Sequence, residues 1–323
     1  MTRTLDASVP RGKMARMPLR LLLPQYWPTW LGLVLLRALS LLPFTWLMSL
    51  GKGLGRVLRV LLGSFNRTAR KNLELCLPDL TAEEREYLVT RHFESLGRAI
   101  FETAMSWWAS NQRILKISHI EGREHLDAAL ARGKGALMLS AHFTTLEIGA
   151  RILAANVPLN IMYRPTKNEL LSFFLARNRS RLTRRAIRRD DIRTLVTALR
   201  GNEIVWYAPD QSYRKKGAEM VRLFGIPAAT NTATSRLAGM TGAAVLPYFV
   251  ERLPGNRGYR AVIHPALDDF PGESPVADAE RFNHYIEQQV RRVPEQYLWI
   301  HRRFKGLTDD YPDYYARRVP GRA

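Results

Sequence analysis

In the stretch LMLSAHFTTLEIGARIL, residues 137–153, His142 and Glu147 stand five apart in otherwise apolar surroundings. An imidazole, with an ordinary pKa of about 6.5, can take a proton from a hydroxyl near neutral pH. A carboxylate on its other ring nitrogen fixes the tautomer and stabilises the imidazolium as it forms. The deprotonated hydroxyl then attacks a carbonyl, and general-base catalysis of this kind supplies roughly 10²–10⁴-fold. Residues five apart on one helix lie roughly 140° apart around the axis, so a shared helical face cannot join the pair. For the two to meet, His142 must precede a helix and Glu147 must lie in its first turn. The same residues also spell a capping box, Thr144-x-x-Glu147, in which Glu147 satisfies backbone N–H groups and His142 is only a turn residue.

Which elements would hold such a pair follows from the flanking pattern. GALMLSA reads as a buried strand and TLEIGARILAA as a helix, which sets His142 at the carboxyl end of a strand, where open α/β sheets bind ligands. Further strand signals are KISHI, LNIMYR, EIVWYAP, AAVLPYFVE and YRAVIH, and helices are expected to begin near Thr144, Asn168, Asp190, Thr232 and Ala277. Alternation of this kind predicts an α/β layered domain. Upstream, Thr81 and Glu84 form a capping box ahead of a long helical pattern through Leu88, Phe93, Leu96, Ile100 and Met105.

Residues 30–50 are the most apolar stretch, interrupted by Arg37 and Pro43, and the segment after them interleaves Leu and Val with Lys and Arg. Spanning a bilayer takes about 20 apolar residues, whereas the interleaved pattern suits an interfacial helix, with Trp27, Trp30 and Trp46 at headgroup level. The expected organisation is a basic tail over 1–18, read as uncleaved and cytoplasmic, a membrane-associated helical anchor over 19–62 and a catalytic domain over 63–323. A net charge of +20 directs attention to phosphates, anionic lipid surfaces or an acidic protein partner. The lone cysteine, Cys76, excludes an intramolecular disulfide and a cysteine zinc site. No G-x-S-x-G, P-loop, HExxH or G-x-G-x-x-G occurs, and the histidines lack metal-ligand spacing. Eight arginines crowd residues 177–193; most are expected on a solvated face, while Arg164, Arg179 and Arg189 are the candidates for gripping phosphate or sugar-acid carboxylate. Asp210, closing the strand EIVWYAP, could orient one of them. Trp206, Tyr207 and Phe224 are read either as acyl-channel lining or as core.

Taken in order, YWPTWLGL, ARKNLELCLPDL, FESLGRAIFETAMSWW, HFTTLEIGAR, YRPTKN, EIVWYAPDQ and PEQYLWIHRRFK carry a resemblance. The chain is similar to the lysophospholipid-type acyltransferases with an H-x4-[DE] motif. Within them it resembles the bacterial lipid A secondary (late) acyltransferases of the lauroyltransferase branch, along nearly its whole length. The resemblance implies a glycerolipid acyltransferase-like α/β fold, a central mixed β-sheet flanked by helices, on the cytoplasmic face of the bacterial inner membrane. It implies His142 as general base with Glu147 as partner, and functional positions at Arg164, Arg179 and Asp210. The acceptor would be a 3-hydroxyacyl hydroxyl of a Kdo-bearing lipid A precursor, the donor a fatty acyl thioester on acyl carrier protein, with no cofactor. Gln211 stands where the lauroyl enzymes commonly have histidine, which loosens the chain-length assignment. The alternatives are another phosphoglycolipid acceptor, such as a phosphatidylinositol mannoside, and a basic nucleic-acid binder; no nucleic-acid motif accompanies the arginines.

Overall fold

The computed structural model describes residues 9–10 and 17–316; the basic tail expected over 1–18 otherwise lies outside the described residues. The apolar amino-terminal region does not form one long helix. Two short 3-10 turns lead into α1 (Trp27–Leu39), Pro43 interrupts, and α2 (Phe44–Leu61) and α3 (Gly63–Cys76) follow. No helix among the described residues is long and apolar enough to cross a membrane. Next comes α4 (Ala82–Trp108), 27 residues, opened by the expected capping box. Thr81 Oγ1 accepts from the Glu84 N–H at 3.2 Å, and the Glu84 carboxylate accepts from the Thr81 N–H at 2.8 Å. α2 lies against α4 at backbone contact through Gly51, Gly55 and Gly97. A Cβ on Gly97 would fall 2.1 Å from the Gly51 carbonyl oxygen, so only glycine permits this approach.

Beyond α4 the chain alternates: α5 (Asn111–Lys116), β2 (Ser118–Glu121), α6 (Arg123–Ala131), β3 (Ala136–Leu139), α7 (Leu146–Asn156), β4 (Leu159–Tyr163), α8 (Glu169–Leu182), β5 (Arg185–Arg188), α9 (Ile192–Arg200) and β6 (Ile204–Tyr207). A hairpin of β7 (Ala218–Leu223) and β8 (Ile226–Asn231) stands apart from the main sheet; α10 (Ala233–Thr241), β9 (Ala244–Arg252), β10 (Tyr259–Ile263) and α11 (Pro275–Arg292) complete the fold. With β1 (Val9–Pro10) at one edge, the sheet order is β1-β5-β4-β6-β3-β9-β10-β2. The five strands from β5 to β9 are parallel, β10 is antiparallel to β9, and β1 is antiparallel to β5. The sheet is therefore mixed, as expected.

Each central strand is covered on both faces, which is why β3 and β6 read as unbroken apolar runs rather than alternating ones. Leu137, Leu139, Val205 and Tyr207 enter the core on one face, and Ala136, Met138, Ile204 and Trp206 the core on the other. Trp206 and Tyr207 are thus packing residues. Phe224 turns the β7–β8 hairpin at φ 53°, followed by Gly225 at φ 74°, and lies under the Arg291 guanidinium. All six strand expectations correspond to strands. β5 escaped notice because its four residues sit inside the arginine run, and β7–β8 because Phe-Gly is not among the strong hairpin signals.

Candidate active site

Sheet order assembles the site. Leu139 at the end of β3 pairs with Tyr207 at the end of β6, so the segments leaving these neighbouring strands emerge side by side. One carries His142, the other Asp210. His142 Nδ1 lies 2.6 Å from Asp210 Oδ1, and the His142 backbone N–H donates to Oδ2 at 3.0 Å. The Tyr297 hydroxyl donates to the same oxygen at 3.4 Å. Burial pushes the Asp210 carboxyl upward, but the charge and two hydrogen bonds of His142, with help from Arg303, more than offset this and hold it below the ordinary value. Asp210 is therefore a carboxylate at neutral pH. A carboxylate only accepts, so Nδ1 carries a proton, and in the neutral ring Nε2 is the nitrogen that keeps its lone pair. The imidazole is 24% exposed, its partner 2%.

Glu147 does not occupy the place expected for it on the imidazole. It sits in the first turn of α7, where Oε2 accepts from Arg179 Nη2 at 2.6 Å and Oε1 from the Trp107 indole N–H at 3.3 Å. Nor does a Thr144–Glu147 capping box form: α7 is capped at Thr145 without a side-chain bond, and Thr144 Oγ1 meets Ser95 Oγ at 2.7 Å. The cause is the turn. Residues 140–145 are committed to other partners, and α7 starts one residue too late for a box with Thr144 as its N-cap. Asp210, expected to orient an arginine, orients the histidine instead.

Arg164 follows β4 and Arg189 follows β5; both are exposed, and both lie on the carboxyl edge of the parallel strands that also carries His142 and Asp210. Arg179 is mostly buried in its pair with Glu147. Within the arginine run the solvated-face expectation holds for most members: Arg177, Arg181, Arg184, Arg189 and Arg193 are exposed, and several of the eight also find partners at the surface. Arg184 and Arg185 pair with Glu203, Arg188 pairs with Asp190, and Arg181 donates to the Trp107 carbonyl.

A second group of site residues, in the segment PEQYLWIHRRFK, was visible as a motif but had no role that local spacing could assign. The Thr144 N–H donates to the Gln296 carbonyl at 2.7 Å, and the Leu298 N–H to the His142 carbonyl at 2.9 Å. The Phe143 and Tyr297 rings pack edge to face at 5.3 Å. Asn72 of α3 secures this segment by donating to the Trp299 and His301 carbonyls at 2.6 and 2.7 Å. His301 Nε2 accepts from the Ser212 N–H at 3.2 Å, and burial lowers its pKa to about 4, so the ring is neutral. The backbone N–H groups of His142, Phe143 and Thr144 are all engaged, Phe143 with the Ala141 carbonyl at 2.7 Å. Those three amides are not available as oxyanion donors in this conformation.

The family described as bacterial lipid A biosynthesis acyltransferase matches residues 14–306. The chain belongs to this family and is an acyltransferase of lipid A biosynthesis. It is similar to the lipid A biosynthesis palmitoleoyltransferase of Escherichia coli (strain K12), 39% identical over 283 residues, 87% of this chain and 92% of that protein. The lipid A biosynthesis lauroyltransferase of the same organism is 36% identical over 296 residues, 91% of this chain and 97% of that one. A lipid A biosynthesis acyltransferase of Haemophilus influenzae is 36% identical over 293 residues, 90% and 94% of the two chains.

Proposed function

We propose that this acyltransferase moves a fatty acyl chain from acyl carrier protein to the hydroxyl of a 3-hydroxyacyl group on a Kdo-bearing lipid A precursor. The His142–Asp210 pair carries the reading. His142 Nε2 takes the hydroxyl proton, the oxygen attacks the thioester carbonyl, and Asp210 stabilises the imidazolium through Nδ1–H. As the tetrahedral intermediate collapses, the C–S bond breaks and the imidazolium returns its proton to the departing thiolate. Glu147 serves by holding Arg179 in place, and Arg164, Arg179 and Arg189 face the phosphates or sugar-acid carboxylates of the acceptor. The basic surface favours docking of an acidic carrier protein.

The amino-terminal segment supports membrane association from the bilayer surface. α1 has 13 residues, a rise of about 20 Å, short of the roughly 30 Å hydrocarbon core. Leu31, Trp27, Trp46, Val60 and Leu61 are more than three-fifths exposed, and Lys52, Arg56 and Arg59 accompany them on α2. Such a surface suits helices lying in the interface on the cytoplasmic side of the inner membrane. Among acyl lengths, the relatives' names point to lauroyl or palmitoleoyl chains.

The deciding assay incubates purified enzyme with a panel of acyl carrier protein thioesters and a tetra-acylated precursor. Transfer by the wild type, none by His142→Ala, and loss of one secondary acyl chain from lipid A of a deletion strain are the expected results. Unaltered lipid A in that strain refutes the acceptor, and ordinary turnover by His142→Ala refutes the base.

A further inference from the structure

The turn after His142 is tied to a buried ionic network, none of whose members touches the His142 imidazole. Arg252, the last residue of β9, is 5% exposed and Glu102 of α4 is 1% exposed. Arg252 Nε and Nη2 grip the Glu102 carboxylate at 2.6 and 2.8 Å, and the Tyr259 hydroxyl donates to the same group at 2.7 Å. The remaining arm, Nη1, donates to Ser95 Oγ at 2.8 Å, and Ser95 Oγ shares a hydrogen bond with Thr144 Oγ1 at 2.7 Å. The Arg252 backbone is held as well. Its N–H donates to Gln296 Oε1 at 2.8 Å and its carbonyl accepts from Gln296 Nε2 at 3.0 Å, while the Gln296 carbonyl takes the Thr144 N–H. Thr144, two residues past His142, is therefore fastened at side chain and backbone to one guanidinium-centred cluster.

A buried ion pair is a weak device for stability, because desolvation of two charges consumes most of their attraction, and well-packed apolar residues often replace it without loss. What a fully satisfied network does provide is a fixed geometry. The fork of Arg252 has one arm more than Glu102 needs, and that arm reaches Ser95, whose hydroxyl meets Thr144 in the turn.

We propose that Arg252 is a positioning residue for the acyl transfer, acting through Ser95 and Gln296 on Thr144 to fix the turn that aims His142 Nε2. The inference rests on His142 being the general base. Misplacement of a reacting group by about 1 Å costs on the order of a hundredfold in rate. Removing the Ser95 or Thr144 hydroxyl therefore lowers kcat roughly ten- to a hundredfold and leaves KM nearly unchanged, because the substrate contacts remain.

The test measures kcat and KM separately on full-length Ser95→Ala, Thr144→Val and Thr144→Ser, at a temperature where each is fully folded by circular dichroism. Thr144→Ser retains the hydroxyl and is expected to recover most of the wild-type kcat. Arg252→Lys keeps the charge but loses the fork, and follows Ser95→Ala; should it fail to fold, the two hydroxyl variants carry the test. A wild-type kcat in folded Thr144→Val overturns the proposal, as does a loss confined to KM or to melting temperature. His142→Ala is run alongside. If it is active, the general-base reading falls first; if it is inactive while Thr144→Val is fully active, only the positioning role falls.

Discussion

In the proposed mechanism His142 depends on a neighbour that stays charged, and Asp210→Asn keeps the size of that neighbour but not its charge. That variant is expected to lose roughly 10²–10⁴-fold in kcat, through a wrong tautomer and an unsupported imidazolium. Steady-state kinetics on the folded variant checks this, and a near-normal rate removes Asp210 from the mechanism. Two other imidazoles contribute to the pH dependence of stability. His92 is fully buried, with Nδ1 on the Glu295 carbonyl at 3.2 Å, and burial lowers both His92 and His301 to about 4. Unfolded, each titrates near 6.5. The unfolded chain therefore binds more protons between these values, so their contribution is complete above about pH 6.5 and is lost progressively toward pH 4. Each group adds a slope of at most about 1.4 kcal/mol per pH unit. Melting temperatures from pH 8 to 4.5 are expected to fall in that window, less steeply in His92→Gln; a flat profile refutes the assignment.

Among the elements, the α2–α4 contact makes two predictions of opposite sign. Gly97→Ala places a methyl 2.1 Å from the Gly51 oxygen and 2.4 Å from the Gly55 nitrogen, both backbone atoms that cannot swing aside. The helices must separate, at a cost of about 1–3 kcal/mol or more. Gly53, also on α2, has nothing within 4 Å of its would-be Cβ, so Gly53→Ala gains roughly 0.5–1 kcal/mol from reduced chain entropy. Urea denaturation of the two variants decides, and equal effects would mean that the close approach does not matter. The same contact joins α2 to the core of the fold. Leu47 and Met48 of α2 are fully buried beside Phe101 and Met105 of α4.

For the whole molecule, charge and exposed apolar surface lie together near the amino terminus. Leu31, Val60 and Leu61 are 71%, 82% and 71% exposed. A triple Leu31→Ser, Val60→Ser, Leu61→Ser variant is expected to lose most of its binding to anionic vesicles, since fully burying each aliphatic side chain is worth about 1.5–3 kcal/mol. Wild-type binding should also weaken with salt as the basic flank is screened. Flotation with and without added salt reports both effects. Undiminished flotation of the triple variant would relocate the membrane contact.

Much of the site was legible in linear order. A histidine between a buried strand and a helix can only sit in the connecting turn, and Glu147 can only begin that helix, because the apolar periodicity fixes where the helix lies. The six strands and the α4 capping box followed from patterns of a few residues, which local backbone preferences are enough to enforce. The carboxylate that serves the imidazole was a different matter. Asp210 lies 68 residues from His142, and the two meet only because β6 is hydrogen-bonded to β3, a pairing chosen by the packing of the entire sheet. The hold of Gln296 and Arg252 on the turn after His142 has the same origin. Hydrogen bonds act over about 3 Å, and which distant groups come that close is decided by tertiary structure alone.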